Sequence, residues 1–256
     1  MPALSDWFKN FLTRDGAKCR VITVIGSGGK TSLIWHLAAA LAQGRKILVS
    51  PTAKMLVPQA DVKLYDRYYG NCQIPSPAPG VTLAGNFNEA TCKLESFPLD
   101  ELENIIKGYD FVLIEGDGSR GLPYKAWTEN EPVVPSFTDL TIGILPLAPI
   151  GKPVSESLVH RLPLFTQLTG AEAGEATKAE HLARLITGRK SESGGAFFPG
   201  LFAKASGKKL LFLNQAEDGT SQKNARELLE ILPQDFRKSM IAIIAGSVRE
   251  DRVVEL

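Results

Sequence analysis

The chain has 256 residues, 44% hydrophobic and 22% charged, which suits one large α/β domain with a sizeable buried core. A formal net charge of +1 supplies no overall field toward nucleic acid or an anionic membrane, and no stretch is apolar for long enough to span a bilayer. The scattered cysteines Cys19, Cys72 and Cys92 form no CxxC pair and leave one unmatched, a usage that points to a reduced, cytoplasmic chain rather than a disulfide-built secreted one.

The N-terminal MPALSDWFKNFLTRDG is broken by Asp6, Lys9 and Asp15 and does not read as a signal peptide. Leu4, Trp7, Phe8, Phe11 and Leu12 recur at helical spacing, so residues 1–15 read as an amphipathic helix packed on the body. Its polar face lacks the basic cluster of a membrane-surface helix. The pattern then predicts a strand over Val21–Ile25, a helix over Lys30–Gln43 ending at Gly44, and a strand over Lys46–Ser50 stopped by Pro51. Tyr65 to Pro79 reads as loop because of its proline and glycine. Val81–Ala84 reads as a short strand and Leu99–Lys107 as a helix. FVLIE at Phe111–Glu115 is apolar throughout its first four residues, as a strand buried on both faces would be.

A strand over Leu140–Leu147 follows, then helices over Ser155–Leu168 and Thr177–Ile186, and an irregular or hairpin region over residues 188–200. Lys209–Asn214 and Met240–Gly246 read as strands flanking a helix at Ser221–Leu232. No internal repeat or low-complexity segment is found. The alternation of strands and helices predicts an α/β fold with a mostly parallel sheet covered on both faces, a single domain over residues 1–256.

The turn between the first strand and the first long helix carries Gly26-Ser27-Gly28-Gly29-Lys30-Thr31-Ser32. A helix N-terminus presents unpaired backbone N–H groups and the positive end of the helix dipole, and so attracts phosphate oxygens. Glycines without Cβ let the backbone turn tightly and approach an anion. Lys30 can reach the β/γ phosphates, and the Thr31 hydroxyl can complete a Mg²⁺ shell. GxxGKT is two residues shorter than the common GxxxxGK[ST] loop and is similar to the phosphate loop of the Mur-ligase family. The alternative is a glycine-rich connection with a surface lysine. Leu33, Ile34, Leu37 and Leu41 read as core, and His36 as an ordinary helix residue.

FVLIEGDGSRG supplies the acids such a loop needs. Glu115, at the strand end, can hold Mg²⁺ directly or through water. The stretch is similar to the VEGAGG loop of dethiobiotin synthetase, in which the glutamate has the metal role. Asp117 reads either as a residue orienting a water or substrate group or as a solvated turn aspartate. LFLNQAED places Asn214 and Glu217 after a strand, where GTPases carry NKxD and read guanine. Here Gln215 replaces the lysine and Glu217 stands at the aspartate position. A strand end leading into a helix cap is the competing reading.

The stretches VITVIGSGGKTSLIWHLA, KILVSPTAKM, FVLIEGDGSRGLPYKAWTENEPVVP, GKPVSESLVHR and LLFLNQAED, in this order, resemble the YqeC-type accessory proteins of selenium-dependent molybdenum hydroxylases. The third block is the most specific. Two departures stand out: Gly116 where alanine is common, and Asn130 in place of a histidine before EPV. The resemblance implies a P-loop NTPase-like three-layer sandwich that binds ATP or GTP with Mg²⁺. It also implies a role in maturing the selenium-containing molybdenum cofactor, with a molybdopterin-type cofactor, a molybdenum hydroxylase or other maturation proteins as partners. The family blocks nominate a substrate side at Lys54, Arg120, Lys125, Glu131, His160 and Arg161, whose basic groups could take a second anion. Surface ion pairing is the alternative. On this reading Lys30 neutralises charge on the transferred phosphoryl group while Thr31 and Glu115 hold the metal. Kinase- or ligase-like phosphoryl transfer to a small molecule and a non-catalytic, nucleotide-dependent delivery scaffold are the competing functions.

Overall fold

The structure, a computed structural model, describes residues 2–14, 19–58, 63–70, 76–190 and 197–256. The first elements are α1 (Leu4–Thr13), β1 (Val21–Gly26), α2 (Lys30–Leu41), β2 (Lys46–Pro51), β3 (Met55–Leu56), β4 (Arg67–Tyr69), β5 (Gly80–Ala84), β6 (Asn86–Asn88) and β7 (Lys93–Glu95). Next come α3 (Leu99–Ile105), which runs into a 3₁₀ turn, β8 (Phe111–Glu115), β9 (Tyr124–Lys125), β10 (Leu140–Pro146), β11 (Val159–His160) and α4 (Leu162–Thr169). The last are α5 (Ala179–Thr187), β12 (Arg189–Lys190), β13 (Phe197–Phe198), β14 (Lys208–Asn214), α6 (Gly219–Ile231), α7 (Gln234–Lys238), β15 (Ala242–Ser247) and β16 (Arg252–Glu255).

Nine strands form one sheet in the order β16-β15-β14-β10-β1-β8-β2-β5-β4. Every pairing is parallel except β15 with β16. β1, β8 and β10 are buried at every residue, which is why their sequences are continuous apolar runs rather than alternating ones. Successive side chains still point to opposite faces. On one face Ile22, Val24, Leu113, Ile142, Leu210 and Phe212 pack under Leu33, Ile34, Leu37 and Leu41 of α2 and Leu4, Phe8 and Phe11 of α1. On the other, Ile25, Leu145, Leu211 and Leu213 meet Phe165 of α4, Leu182 and Leu185 of α5, and Leu228 of α6. Val112 and Ile114 pack with Leu102 and Ile105 of α3 on that same face. Helix, sheet, helix: the expected three layers are present.

The strand order creates a crevice. From β1 the chain runs through α2 toward the β8–β2 side, whereas from β10 it continues to β14 on the opposite side. Connections that diverge from two adjacent parallel strands open a gap at their carboxyl ends, where ligands of open α/β sheets bind. β1 and β10 are that adjacent pair.

Several local expectations are corrected. The helix read over Ser155–Leu168 begins only at Leu162. Ser155–Arg161 is turn plus the short β11, because Arg161 takes a left-handed backbone (φ 64°) and Pro163 occupies the first turn of α4. Within the segment read as loop from Tyr65 to Pro79, Arg67–Tyr69 adds an edge strand to β5, and residues 71–75 lie outside the described ones. The hairpin alternative for residues 188–200 is seen as β12 paired with β13, with residues 191–196 outside the description. The antiparallel β3-β7-β6 sheet and the edge strand β16 had no readable signal, since strands of two to four residues show no periodicity. No helix among the described residues is long and apolar enough to cross a membrane.

α1 is tied to the far edge of the sheet. Ser5 donates its backbone N–H and its hydroxyl to the Asp251 carboxylate at 2.8 and 2.9 Å, and His36 of α2 contacts the same carboxylate at 2.8 Å. His36 is therefore a link between three elements.

Candidate functional site

The phosphate-type loop lies at the carboxyl end of β1, in the crevice. Gly26, Gly28 and Gly29 all have positive φ (105°, 73° and 132°), a region that L side chains rarely adopt. Space forbids them too: a Cβ on Gly26 would strike the Ile144 carbonyl, and one on Gly28 would strike Pro146. Pro146, the last residue of β10, thus backs the loop. Ser27 N–H donates to Ile144 O at 3.0 Å, which fixes the loop to β10. The first α2 bond runs from Leu33 N–H to Gly29 O at 2.8 Å. The N–H groups of Lys30, Thr31 and Ser32 precede it and have no intrahelical acceptor, which is what an anion site requires.

Asn214, at the end of β14, braces the loop from 186 residues away: its Nδ2 donates to Gly28 O at 2.8 Å. Its Oδ1 accepts Val248 N–H at 3.1 Å. Glu217 sits beyond, accepting the Ser247 hydroxyl at 2.7 Å, with Arg249 at 3.8 Å. The side-chain amide of Asn214 is thus engaged with the phosphate-type loop and the β15–β16 turn.

β8 lies beside β1 in parallel, pairing Val24 with Glu115, so the strand-end acid arrives next to the loop by register. Thr31 Oγ1 donates to Glu115 Oε2 at 2.8 Å. Glu115 is nearly inaccessible, at 6% exposure. Burial pushes its carboxyl up in pKa and neighbouring Asp117 adds to this, while Lys30 and the Thr31 hydroxyl act against it.

Asp117 is fully buried, so it is not the solvated turn residue that its glycine neighbours suggest. Its carboxylate accepts Gly26 N–H at 3.1 and 3.2 Å and Trp127 Nε1–H at 2.7 Å. Lys30 Nζ stands 3.5 Å from one oxygen and Lys125 Nζ 3.1 Å from the other. Lys30 also donates to Gly26 O at 2.7 Å, folding back over its own loop. Asp117 therefore anchors the loop and holds Lys30 and Lys125. A buried carboxylate persists only with such compensation.

Lys125 carries the network outward. It is fully buried and donates to Gly118 O at 2.6 Å and Glu131 Oε2 at 2.9 Å, and it lies 5.7 Å from the Trp127 ring centre. Glu131 accepts Arg161 Nη1–H at 2.6 Å. Burial works against the Glu131 carboxylate, but the bonds from Arg161 and Lys125 prevail and hold its pKa at about 2. β9 and β11 pair in parallel and place His160 opposite Lys125.

Of the residues nominated from sequence, Gly26–Thr31, Glu115, Asp117, Lys125, Glu131 and Arg161 form one continuous constellation, with Asn214 bracing it and His160 beside it. Ser32 is exposed in the first turn of α2, and Arg120 is exposed in the loop after Asp117. Lys54 is apart from this network: it is exposed and pairs with Glu95 of the small β3-β7-β6 sheet at 2.8 Å. Sequence reasoning missed Trp127 and Pro146. An indole ten residues after an aspartate carries no motif signal, and a strand-end proline reads only as a stop.

Among the described residues no group of three or more His, Cys, Asp or Glu side chains is placed to hold a metal alone. Mg²⁺ does not need one, because it is commonly held by one or two carboxylates together with substrate phosphates. The residues present fit a phosphate–Mg²⁺ group: three glycines cleared of Cβ, a hydroxyl facing a carboxylate, and a buried Ser27 hydroxyl with no partner among the described residues.

A sequence profile of the family described as YqeC protein matches residues 22–163, more than half of the chain, running from β1 through the acidic loop to just past Arg161. The chain is 31% identical over 176 residues to a protein of Escherichia coli (strain K12) described as "Uncharacterized protein YqeC", covering 65% of this chain and 67% of that relative. No solved structure matches the chain. The phosphate-type loop, both loop acids and the Lys125–Glu131–Arg161 network all fall inside the matched span, and the chain belongs to the YqeC family.

Proposed function

We propose that this protein binds ATP or GTP as the Mg²⁺ complex and hydrolyses it, as a cytoplasmic accessory factor in maturing the selenium-containing molybdenum cofactor of molybdenum hydroxylases. One observation carries the nucleotide reading. At the N-terminus of α2, in the crevice between β1 and β10, the Thr31 hydroxyl faces the Glu115 carboxylate at 2.8 Å. A hydroxyl and a strand-end acid in that relation form the protein side of a Mg²⁺–phosphate shell. When bound, the metal would neutralise phosphate charge and fix its oxygens.

The chain's own residues do the rest. The N–H groups at the start of α2 bind phosphate oxygens, and Ser27 Oγ offers one more donor. Lys30, held in reserve on Gly26 O and Asp117, swings a short distance to the phosphates and stabilises charge developing there. Asp117 positions the loop and Lys30, with both of its oxygens engaged by donors. Burial of Glu115 works against its charged form, and a cation at this site would offset that cost.

Calorimetry of the purified chain with ATP and GTP, with and without Mg²⁺, tests this reading, with Lys30→Ala as the comparison. Equal affinity in the two proteins would end it. Phosphate release without a phosphorylated acceptor supports hydrolysis. Tight binding without turnover, even with the partner hydroxylase present, supports a delivery scaffold instead. The cofactor role rests on the family resemblance, and native mass spectrometry of protein from its own host tests it by revealing any retained nucleotide or pterin. A second reading, phosphoryl transfer to a small acceptor, is favoured by the basic groups that continue outward from Asp117.

A further inference from the structure

Two arginines occupy backbone positions that suit other residues. Arg120 stands at the first central position of a tight turn closed by Leu122 N–H to Ser119 O at 3.0 Å, with φ of 53° followed by Gly121 at 75°. Turns with positive φ at both central residues are dominated by Gly, Asn and Asp. Arg161 sits at the N-cap of α4 with φ of 64°, where Ser, Thr, Asp or Asn would cap the helix; its side chain makes no cap bond. Positions at which a residue conflicts with its local structure are where function or strain is expected. Arg161 adjoins His160 in the chain, and Arg120 follows two residues after Gly118, whose carbonyl accepts from Lys125, the register partner of His160.

The surroundings of His160 are cationic. Arg161 is its chain neighbour and Lys125 is its partner in the β9–β11 register, while Arg120, Arg161 and Lys125 act on its charge in one sense and Glu131 in the other. Glu131 is already shared between Lys125 and Arg161. Arg161 uses Nη1 for both Glu131 and the Ala126 carbonyl, and among the described residues its other guanidinium nitrogens make no hydrogen bond. Arg120 is exposed and makes no ion pair, and the His160 imidazole makes no hydrogen bond, among the described residues. Chain position and strand register thus bring three donor-bearing residues to one end of the β9–β11 pair.

We propose that Arg120, His160 and Arg161 form a second anion subsite that takes a tetrahedral oxyanion, either free or as the phosphate monoester of a small molecule. A guanidinium fork matches two oxygens of such a group, and an imidazole supplies a third donor. The subsite joins the phosphate-type loop through Arg161–Glu131–Lys125–Asp117–Lys30, each contact at 3.5 Å or less. As the acceptor pocket of that loop it rests on the nucleotide reading above; as a binding site it stands or falls by a separate measurement.

The test is side-chain NMR of the full chain, which has three histidines, with the His160 signal assigned by its loss in His160→Gln. Burial and the cations Arg161, Arg120 and Lys125 hold the His160 pKa down, against Glu131. A bound oxyanion raises it. Inorganic phosphate, glycerol phosphate and sodium chloride are titrated at matched ionic strength. The expected result is a saturable rise with either or both phosphates beyond that with chloride. Arg120→Ala weakens it roughly ten-fold, while Lys30→Ala leaves it intact. A response to glycerol phosphate alone marks a small-molecule monoester, and a response to both marks the oxyanion itself. An equal shift with chloride, or loss of the shift in Lys30→Ala, overturns the proposal, because screening or an ion in the loop then explains it. A wild-type chain that binds no nucleotide but keeps the phosphate response removes the nucleotide reading and leaves the subsite standing.

Discussion

The loop over Gly26–Thr31 and the cluster around Asp117 touch each other but are built on different principles. The loop is made of backbone: three positive-φ glycines and the N–H groups of a helix start. The cluster is made of side chains, with Asp117, Lys125, Trp127, Glu131 and Arg161 arriving from a long irregular stretch and two short paired strands. A backbone site can bind an anion without being required for folding. A buried network of charges is required for folding wherever removing one partner strands another. The two regions should therefore answer mutation differently.

The largest effect is expected at Asp117. Asp117→Ala removes the acceptor for two buried ammonium groups and an indole N–H, and should lower unfolding free energy by about 3–5 kcal/mol in denaturant titration. A loss under 1 kcal/mol would break the comparison. Lys30→Ala should do the reverse, since Asp117 keeps Lys125, Trp127 and Gly26 N–H. Stability should change by only about 1 kcal/mol, whereas nucleotide affinity should fall roughly 100-fold in calorimetry.

Glu115 sharpens the boundary, since it belongs to both regions. Burial raises its folded-state pKa, so the stability linked to it is present below its unfolded pKa and is lost as pH rises through the folded value. Glu115→Gln should therefore raise Tm at neutral pH without ligand and diminish the Mg²⁺ dependence of nucleotide binding. Glu131 has the opposite sign. Its folded pKa of about 2 lies below the usual 4.5, so its contribution is present above pH 4.5 and is lost as pH falls toward 2. Thermal melts across this window should be flatter for Glu131→Gln than for the parent.

The smallest folding effect is expected at Ser27, whose buried hydroxyl has no partner among the described residues. Ser27→Ala should leave Tm within a few degrees or raise it, because it removes an unsatisfied polar group. If that hydroxyl meets phosphate, nucleotide affinity should drop about ten-fold in the same protein. No change in affinity would remove Ser27 from the site.

How readable each region was from sequence follows the same division. The loop was legible because glycine spacing, Lys30-Thr31 and the strand-to-helix change report local backbone preferences. Glu115 was legible because a fully buried strand announces itself as an apolar run that ends in an acid. Asp117 was only half legible: the glycines on either side suggested a solvated turn, yet the indole of Trp127 and the ammonium of Lys125 bury it completely. Lys54 followed a strand just as plausibly as the other candidates, but its neighbours turned it toward Glu95.

By itself the sequence determined the alternation of strands and helices, the place of the phosphate-type loop, the acid beside it and the family to which the chain belongs. These depend on periodicity, on glycine's freedom at positive φ and on motifs contiguous along the chain. Only the tertiary structure decided that the connections leaving the paired strands β1 and β10 diverge to open the crevice, that Asn214 braces Gly28, and that Arg161 closes a charged path back to Lys30. Such contacts join residues far apart in the chain. Strand order and register bring them together, and neither is set by any local stretch.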